Sequence, residues 1–547
     1  RRFAWLTGKM LMPPRWSLGY SGSTMTYTEA PDAQAQLLGF INRCSAENVP
    51  VSSFQLSSGY SSTESGKRHV FTCDRATIPE PQVLARAFTD ADIRLAANIK
   101  PVLLTDHPAY KKLRADGAFI LNPSASEPEV SPFWDAYGSH LDFTNRLTIQ
   151  WWIDSIRQHL HGMGIDCTWN DNNEYALDNE ESLCHSFGST PVPIKLMRPL
   201  MSMLMCKASF IAQKENIARE RPWLISRCGM PGMGRYVQTW SGDNFTEWKT
   251  LRYNLRMGLG LCLSGCFNIG HDIGGFAGPP PSAELLVRWV QNGIFHPRFT
   301  MHSWNSDGSV TMPWLHPSHT ALVVEAMHLR CAIIPYLYQV MRRASEAYEP
   351  PLRPTFLDHE DDPQTWEQSD DFLLGPSLLV ANVVDEGARW REVYLPQNGV
   401  GWWHVESLLE ERSGSWYGGG QTIRLEAPLE RIPLLVAAGA MLPVDLPGDI
   451  DAGMRSLLVF PPPVREGESE GEFTYEWTED DGLSSAPDAP RVTFRCALTH
   501  QDGGLRLSIE VDTPPSAWRP PFASLRVIHR GVSQPLRIEA RCLGMPD

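Results

Sequence analysis

Between Arg15 and about Met341, short apolar runs rich in β-formers alternate with longer stretches that read as amphipathic helices. The runs are WSLGYSG (16–22), VSSFQLSSG (51–59), RLAANIKPVLL (94–104), GIDCTWND (164–171), PWLISRCG (222–229), VQTWSGD (237–243), GCFNIGHD (265–272) and GIFHPRFTMH (293–302). The helical stretches are 32–48, 79–92, 146–161, 194–219, 244–261 and 281–292. Strands alternating with helices make βαβ units and a parallel sheet. Eight such runs in more than 300 residues predict an α/β chain whose (β/α)8 TIM barrel spans 14–344. Polar residues collect at the C-terminal ends of the runs: Asp106, Asp171, Arg227, Asp243, Asp272 and His302. Barrel active sites sit at that end.

The stretch 105–145 carries Pro108, Pro123, Pro128 and Pro132 with Phe133, Trp134 and Tyr137, and reads as an insertion able to wall a pocket. Past Arg343, apolar runs such as FLLGPSLLVANVV and RIPLLVAAGAMLP are separated by Gly, Pro and acidic turns, a signature of antiparallel β structure. Two C-terminal β-sandwich domains are expected, over 345–450 and 451–547. Residues 461–492, rich in Pro, Glu, Asp and Ser, read as a loose connection or hairpin tips.

Composition narrows the partners. A net charge of −15 leaves no basic stripe for nucleic acid. No apolar run approaches the ~20 residues of a membrane span. Nineteen tryptophans suit a sugar binder, whose indole faces stack on sugar C–H faces, although large cores also use Trp. Eleven scattered cysteines contain no CxxC pair, so neither a metal nor a cofactor is expected. The reading is a reduced, cytoplasmic chain. It starts at Arg1 with no signal-peptide segment, so the N-terminus is taken as incomplete. Homo-oligomerisation stays open.

Two motifs carry the chemistry. TWNDNNE holds Trp169, Asp171 and Glu174; TWSGDN holds Trp240, Asp243 and Asn244. A carboxylate near a tryptophan at a strand end, twice, supplies the pair that glycosidic cleavage needs. The amides Asn170, Asn172 and Asn173 could keep Asp171 ionised by donating hydrogen bonds. The competing reading of each Asp alone is a helix N-cap.

The ordered segments ISRCGMPGMGRYVQTWSGDNFTEW, LSGCFNIGHDIGGFAG and AELLVRWVQNGIFHPRF, with WNDNNE upstream, strongly resemble glycoside hydrolase family 31 over about 14–445, and YEWTEDDG (475–482) matches a further segment. That family contains retaining α-glucosidases, α-xylosidases and α-transglucosylases built as a barrel followed by two β-sandwiches. The resemblance implies Asp171 as nucleophile and Asp243 as general acid/base. It implies sugar contacts from Asp106, Arg227 and His302, a −1 subsite walled by Trp169, Trp240 and Phe276, and support of the acid/base region by Asp272. Glu174 would cap or orient the nucleophile. Three departures stand out: Thr300 where an Arg is usual, FQLSSGYSS in place of an acidic W-x-D pattern, and a missing N-terminal β-sandwich, of which residues 1–13 would be a remnant and Arg1–Met12 its exit strand.

The function expected is double-displacement hydrolysis of an oligosaccharide or α-glucoside. The alternatives are α-transglucosylation by the same residues and a catalytically impaired sugar-binding protein.

Overall fold

The computed structural model describes residues 1–217, 219–367, 370–410, 414–463, 471–486, 489–501, 504–513, 518–530 and 536–543. Eight parallel strands form a ring: β1 (Tyr20–Thr24), β2 (Val51–Leu56), β3 (Arg94–Ile99), β4 (Cys167–Asn170), β5 (Leu224–Ser226), β6 (Gln238–Trp240), β7 (Ile269–Gly270) and β8 (Phe299–Asn305). Neighbours run in chain order from β1 to β7, and β8 pairs with β1 from Tyr20↔Phe299 to Thr24↔Ser303. A parallel bridge between Asp272 and Thr300 closes the seam between β7 and β8. Two backbone bonds reinforce it, Ile273 N to Thr300 O at 2.9 Å and Arg298 N to Ile269 O at 3.2 Å.

Each predicted helical stretch contains a helix: α1 (Ala33–Ala46), α2 (Pro81–Asp90), α3 (Arg146–Ser155), α4 (Arg198–Asn216), α5 (Trp248–Leu263) and α6 (Ala283–Gly293). Their starts are chemically marked. Asn145 and Ser282 accept hydrogen bonds from Leu147 N and Leu285 N, and prolines open α2 and α4. Between β5 and β6 only a short turn, Met233–Arg235, intervenes.

A further long helix, α7 (Thr320–Ala347), lies outside the predicted set. With its preceding turn it is long and apolar enough to cross a membrane by length and composition, yet over half of its most apolar window is buried in the fold. Arg330 shows why the fold uses it as a core helix. Fully buried, it donates to the carbonyls of Leu18 (2.6 Å), Ile294 (2.5 Å), His296 (2.6 Å) and Pro297 (2.8 Å), spanning the approach to β1 and that to β8.

The first β-sandwich sets a sheet of Leu352–Pro354, Asp371–Leu374, Leu378–Ala381, Leu434–Ala437, Trp402–Val405 and Ser415–Tyr417 against a two-stranded antiparallel sheet of Trp390–Leu395 and Gln421–Glu426. Leu379, Val393, Trp402 and Leu435 fill the space between. The second sandwich begins earlier than the expected 451. Ala440–Val444 pairs antiparallel with Met454–Phe460, and Met441 joins the second core beside Trp477 and Leu507. The stretch 461–492 is corrected too: it contains the nine-residue strand Glu472–Asp480, paired with Arg491–Gln501. Its residues 464–470 and 487–488 lie outside the described set.

That strand fastens the distal sandwich to the barrel. Buried Asp480 accepts from Arg221, Arg342 and Tyr338, each at 2.6 Å, while Arg15 pairs with Glu479 at 2.7 Å. At the N-terminus, the expected exit strand is instead a helix, Arg2–Thr7, in which Gly8 N bonds Ala4 O. Its backbone hydrogen bonds close locally, with Trp5 N also bonding Arg1 O at 2.9 Å. Its Phe3, Trp5 and Leu6 are exposed.

Candidate functional site

A cavity of about 450 Å³ opens at the C-terminal end of the barrel, within the range of small-ligand sites. Asp171 follows β4 directly and is buried at its floor, its backbone N bonded to Ile99 O at 2.9 Å. The flanking amides brace the loop rather than the carboxylate. Asn170 Nδ2 donates to Ile225 O and Asn173 Nδ2 to Ser226 Oγ, tying the loop to β5, while Asn172 accepts from Lys100. Asp171 draws its own hydrogen bonds from the neighbouring strand β3 and the residue after it: Lys100 Nζ at 2.5 Å and Asn98 Nδ2 at 3.1 Å, both to Oδ2.

Arg227, one residue past β5, lies between the acids. Its Nε donates to Glu174 at 2.8 Å, and its Nη1 stands 3.3 Å from Asp243 Oδ2 and 3.6 Å from Asp171 Oδ1. Two oxygens within those distances of one nitrogen are at most about 6.9 Å apart. Asp243 is half-exposed at the rim, presented after Gly242, whose φ of +79° is a left-handed value that glycine adopts readily.

Trp169 and Trp240 meet edge-on with centroids 5.7 Å apart, and Phe276 stacks on His302 at 4.8 Å. Five buried polar atoms of the lining have no partner among the described residues: Trp169 Nε1, Trp240 Nε1, Asn98 Oδ1, His140 Nδ1 and His302 Nδ1. Buried polar groups are nearly always satisfied, so a lining that leaves five open suits a ligand dense in hydroxyls.

The two acids differ electrostatically. Burial would raise the Asp171 carboxyl, but Lys100, Arg227 and the Asn98 hydrogen bond outweigh it and hold it at about 2. Burial raises Asp243, and the negative Asp171 adds to the rise against the pull of Arg227. Burial takes His302 down to about 3, so its imidazole is neutral.

The profile described as "Glycosyl hydrolases family 31 TIM-barrel domain" matches residues 10–340, and "Glycosyl hydrolase family 31 C-terminal domain" matches 348–442. The chain belongs to glycosyl hydrolase family 31. Its relatives include neutral alpha-glucosidase C of Mus musculus, 29% identical over 81% of this chain and 49% of the relative. Another is alpha-glucosidase 2 of Bacillus thermoamyloliquefaciens, 30% identical over 80% of this chain and 54% of the relative. The chain thus spans about half the length of these relatives. Among solved structures, a family 31 dextranase of Flavobacterium johnsoniae complexed with glucose superposes with a TM-score of 0.79 at 22% identity, covering 91% of this chain and 61% of that one. A family 31 α-xylosidase of Xanthomonas citri gives 0.78 at 22%, covering 97% and 58%.

In this family 31 chain the cavity gathers Asp171, Asp243, Arg227, Trp169, Trp240, Phe276 and His302. Asp106, expected to contact sugar, and Asp272, expected to support the acid/base region, lie outside the lining. Asp106 is half-exposed outside the lining, paired with Lys67 at 2.6 Å and His69 at 3.2 Å. Pro101, which has no N–H to continue the ladder, ends the strand early; Val102–Leu104 then leaves the barrel to pair with Ala136–His140. Asp272 is fully buried away from the lining against Arg298 at 2.9 Å, and burial lifts its carboxyl to about 7. The residues that sequence reading missed are Asn98 and Lys100. The signal was available: Ala96, Asn98 and Lys100 alternate along the barrel-facing side of β3, ending at Pro101. Phe133 and Trp134 of the insertion do wall the cavity, whereas Tyr137 faces solvent. Two departures from the family pattern meet, because Gln55 of β2 donates to the hydroxyl of Thr300 at 3.2 Å. Among the described residues no three His, Cys, Asp or Glu side chains group as metal ligands.

Proposed function

We propose that this chain hydrolyses α-linked glucosides with retention of configuration. One observation carries the reading: a single Arg227 nitrogen is within 3.6 Å of both carboxylates. The facing oxygens, at most about 6.9 Å apart, are close enough to admit the roughly 5–5.5 Å of a retaining pair. In the first step an oxygen of Asp171 bonds to the anomeric carbon while the glycosidic bond breaks, and Asp243 gives its proton to the departing oxygen. In the second, Asp243 takes a proton from water, whose oxygen displaces Asp171 and returns the electron pair to its carboxylate. The low Asp171 and the raised Asp243 suit nucleophile and acid respectively. The relatives named as α-glucosidases support the substrate class.

Asp171→Ala should lose roughly 10⁴-fold or more of kcat on an aryl α-glucoside. Asp243→Ala should be partly rescued by azide, giving a glycosyl azide. Near-normal turnover of Asp171→Ala would remove the assignment, and first-formed product of inverted configuration, read by NMR, would replace it with an inverting one. A wild-type chain that binds sugars without turnover would instead support a sugar-binding protein. Transfer to an acceptor sugar is a second reading, favoured by Trp134 and Trp304 at the cavity, both about half exposed with centroids 6.0 Å apart. Product analysis on α-linked disaccharides, following release and transfer together, decides between water and sugar as acceptor.

A further inference from the structure

The hydrogen bonds on Asp171 are lopsided. Oδ2 takes both donors, Lys100 Nζ at 2.5 Å and Asn98 Nδ2 at 3.1 Å. Oδ1 has only Arg227 Nη1 at 3.6 Å, too far for a hydrogen bond. Lys100 is itself fixed: it is buried, bonded also to Asn172 Oδ1, and lies over the Trp134 ring at 4.8 Å. A buried ammonium on one carboxylate oxygen both orients the group and assigns its charge.

We propose that Lys100 is the positioning residue of the nucleophile, holding Oδ2 so that Oδ1 attacks, and favouring release of Asp171 in the second step. The proposal rests on the reading of Asp171 as nucleophile. When Oδ1 bonds to the anomeric carbon, Oδ2 becomes the carbonyl oxygen of a neutral ester. Lys100 then has no counter-charge at 2.5 Å in a buried site, which is unfavourable. When water displaces the sugar, the C–Oδ1 electron pair returns to the carboxylate and the ion pair re-forms. Lys100 therefore slows formation of the glycosyl-enzyme somewhat and speeds its breakdown, so the intermediate stays scarce.

Other charges face this pair. Arg227 and Arg68 act on Lys100; Asp243, Glu174, His302 and His140 share the cavity lining; Asp272 lies beneath. Among the described residues only Lys100 and Asn98 bond the carboxylate, so a change at Lys100 is read on Asp171 first.

The test compares wild type with Lys100→Met and Lys100→Arg. With an activated aryl α-glucoside, Lys100→Met should show a pre-steady-state burst that wild type lacks, with kcat and KM falling together as the intermediate accumulates. The acid limb of kcat/KM should rise by roughly 1–3 pH units, and Lys100→Arg should restore much of it. A fall in kcat with no burst and an unmoved limb would overturn the proposal. A measurement independent of turnover is the carboxyl titration of Asp171 in pH-difference infrared spectra, with Asp171→Asn as the blank. It should move up in Lys100→Met, and an unmoved titration would also overturn the proposal. Failure of the parent reading looks different: wild type itself would show no turnover or an inverted product.

Discussion

Asp171 and Asp243 share Arg227, yet one is surrounded by donors and the other is only half covered. Activity needs Asp171 ionised and Asp243 protonated, so it falls as pH rises through the raised value of Asp243 and as pH falls through the low value of Asp171. The Arg227 cation stabilises both charged forms. Arg227→Met should therefore carry the whole bell of kcat/KM upward by roughly one pH unit, besides weakening sugar binding. A pH–rate profile checks it, and an unmoved basic limb would show that Arg227 does not act on Asp243. At this scale the sequence was legible where a motif names the residue. Asp171, Arg227 and Asp243 sit in runs whose spacing is unusual, and the cavity holds all three. Lys100 was hidden because a lysine at a strand end is ordinarily a solvated tip. Asp106 misled because the apolar run continues to Leu104, and only the pairing of Val102–Leu104 outside the ring shows that the barrel strand has ended.

At the scale of elements, glycines separate two kinds of position. In β7 a Cβ on Gly270 would meet the Arg298 carbonyl oxygen at 2.1 Å, beside the seam that closes the barrel. Gly270→Ala should cost roughly 1–3 kcal/mol or more, because backbone at a sheet seam yields little. Gly39 in α1 and Gly260 in α5 have nothing within 4 Å of such a Cβ. Replacing either by Ala should gain about 0.4–1 kcal/mol through reduced freedom of the unfolded chain. Denaturant unfolding of the three variants checks both signs. Strand and helix periodicity made the eight strands and six of the helices legible, since each must turn an apolar face to a neighbour. The helix α7 escaped because it is apolar on most sides and carries Pro335 inside, so no clean 3.6-residue stripe stands out. The boundary near 450 was misplaced because Ala440–Val444 looks like its predecessor in composition, and only its partner, Met454–Phe460, assigns it to the second sandwich.

Across the whole molecule, Asp480 joins the distal sandwich to the barrel. Arg221 and Arg342 hold its carboxyl well below the usual range against the opposing effect of burial. A depressed folded-state value means that the stabilisation is present above the unfolded value near 4 and is lost as pH falls below it. Asp480→Ala leaves buried Arg221 without its carboxylate and Arg342 with Glu346 at 3.3 Å as its remaining partner, and should cost about 3–5 kcal/mol, splitting thermal unfolding so that the distal sandwich melts first. Calorimetry on the full chain, at neutral pH and at roughly pH 2, tests both the loss and its pH dependence. Arg330 has a consequence in time rather than in energy. The ring joins Tyr20 to Phe299, and the side chain that ties the approach to both strands lies 31 residues further on. A ribosome must therefore release most of the barrel before its first strand finds its last neighbour, and the open edge of β1 waits in the meantime. Such a late-closing chain folds slowly and exposes an unpaired edge while it does so. A nascent chain halted before Arg330 should stay sensitive to protease and dependent on chaperones, and one extended past α7 should become resistant.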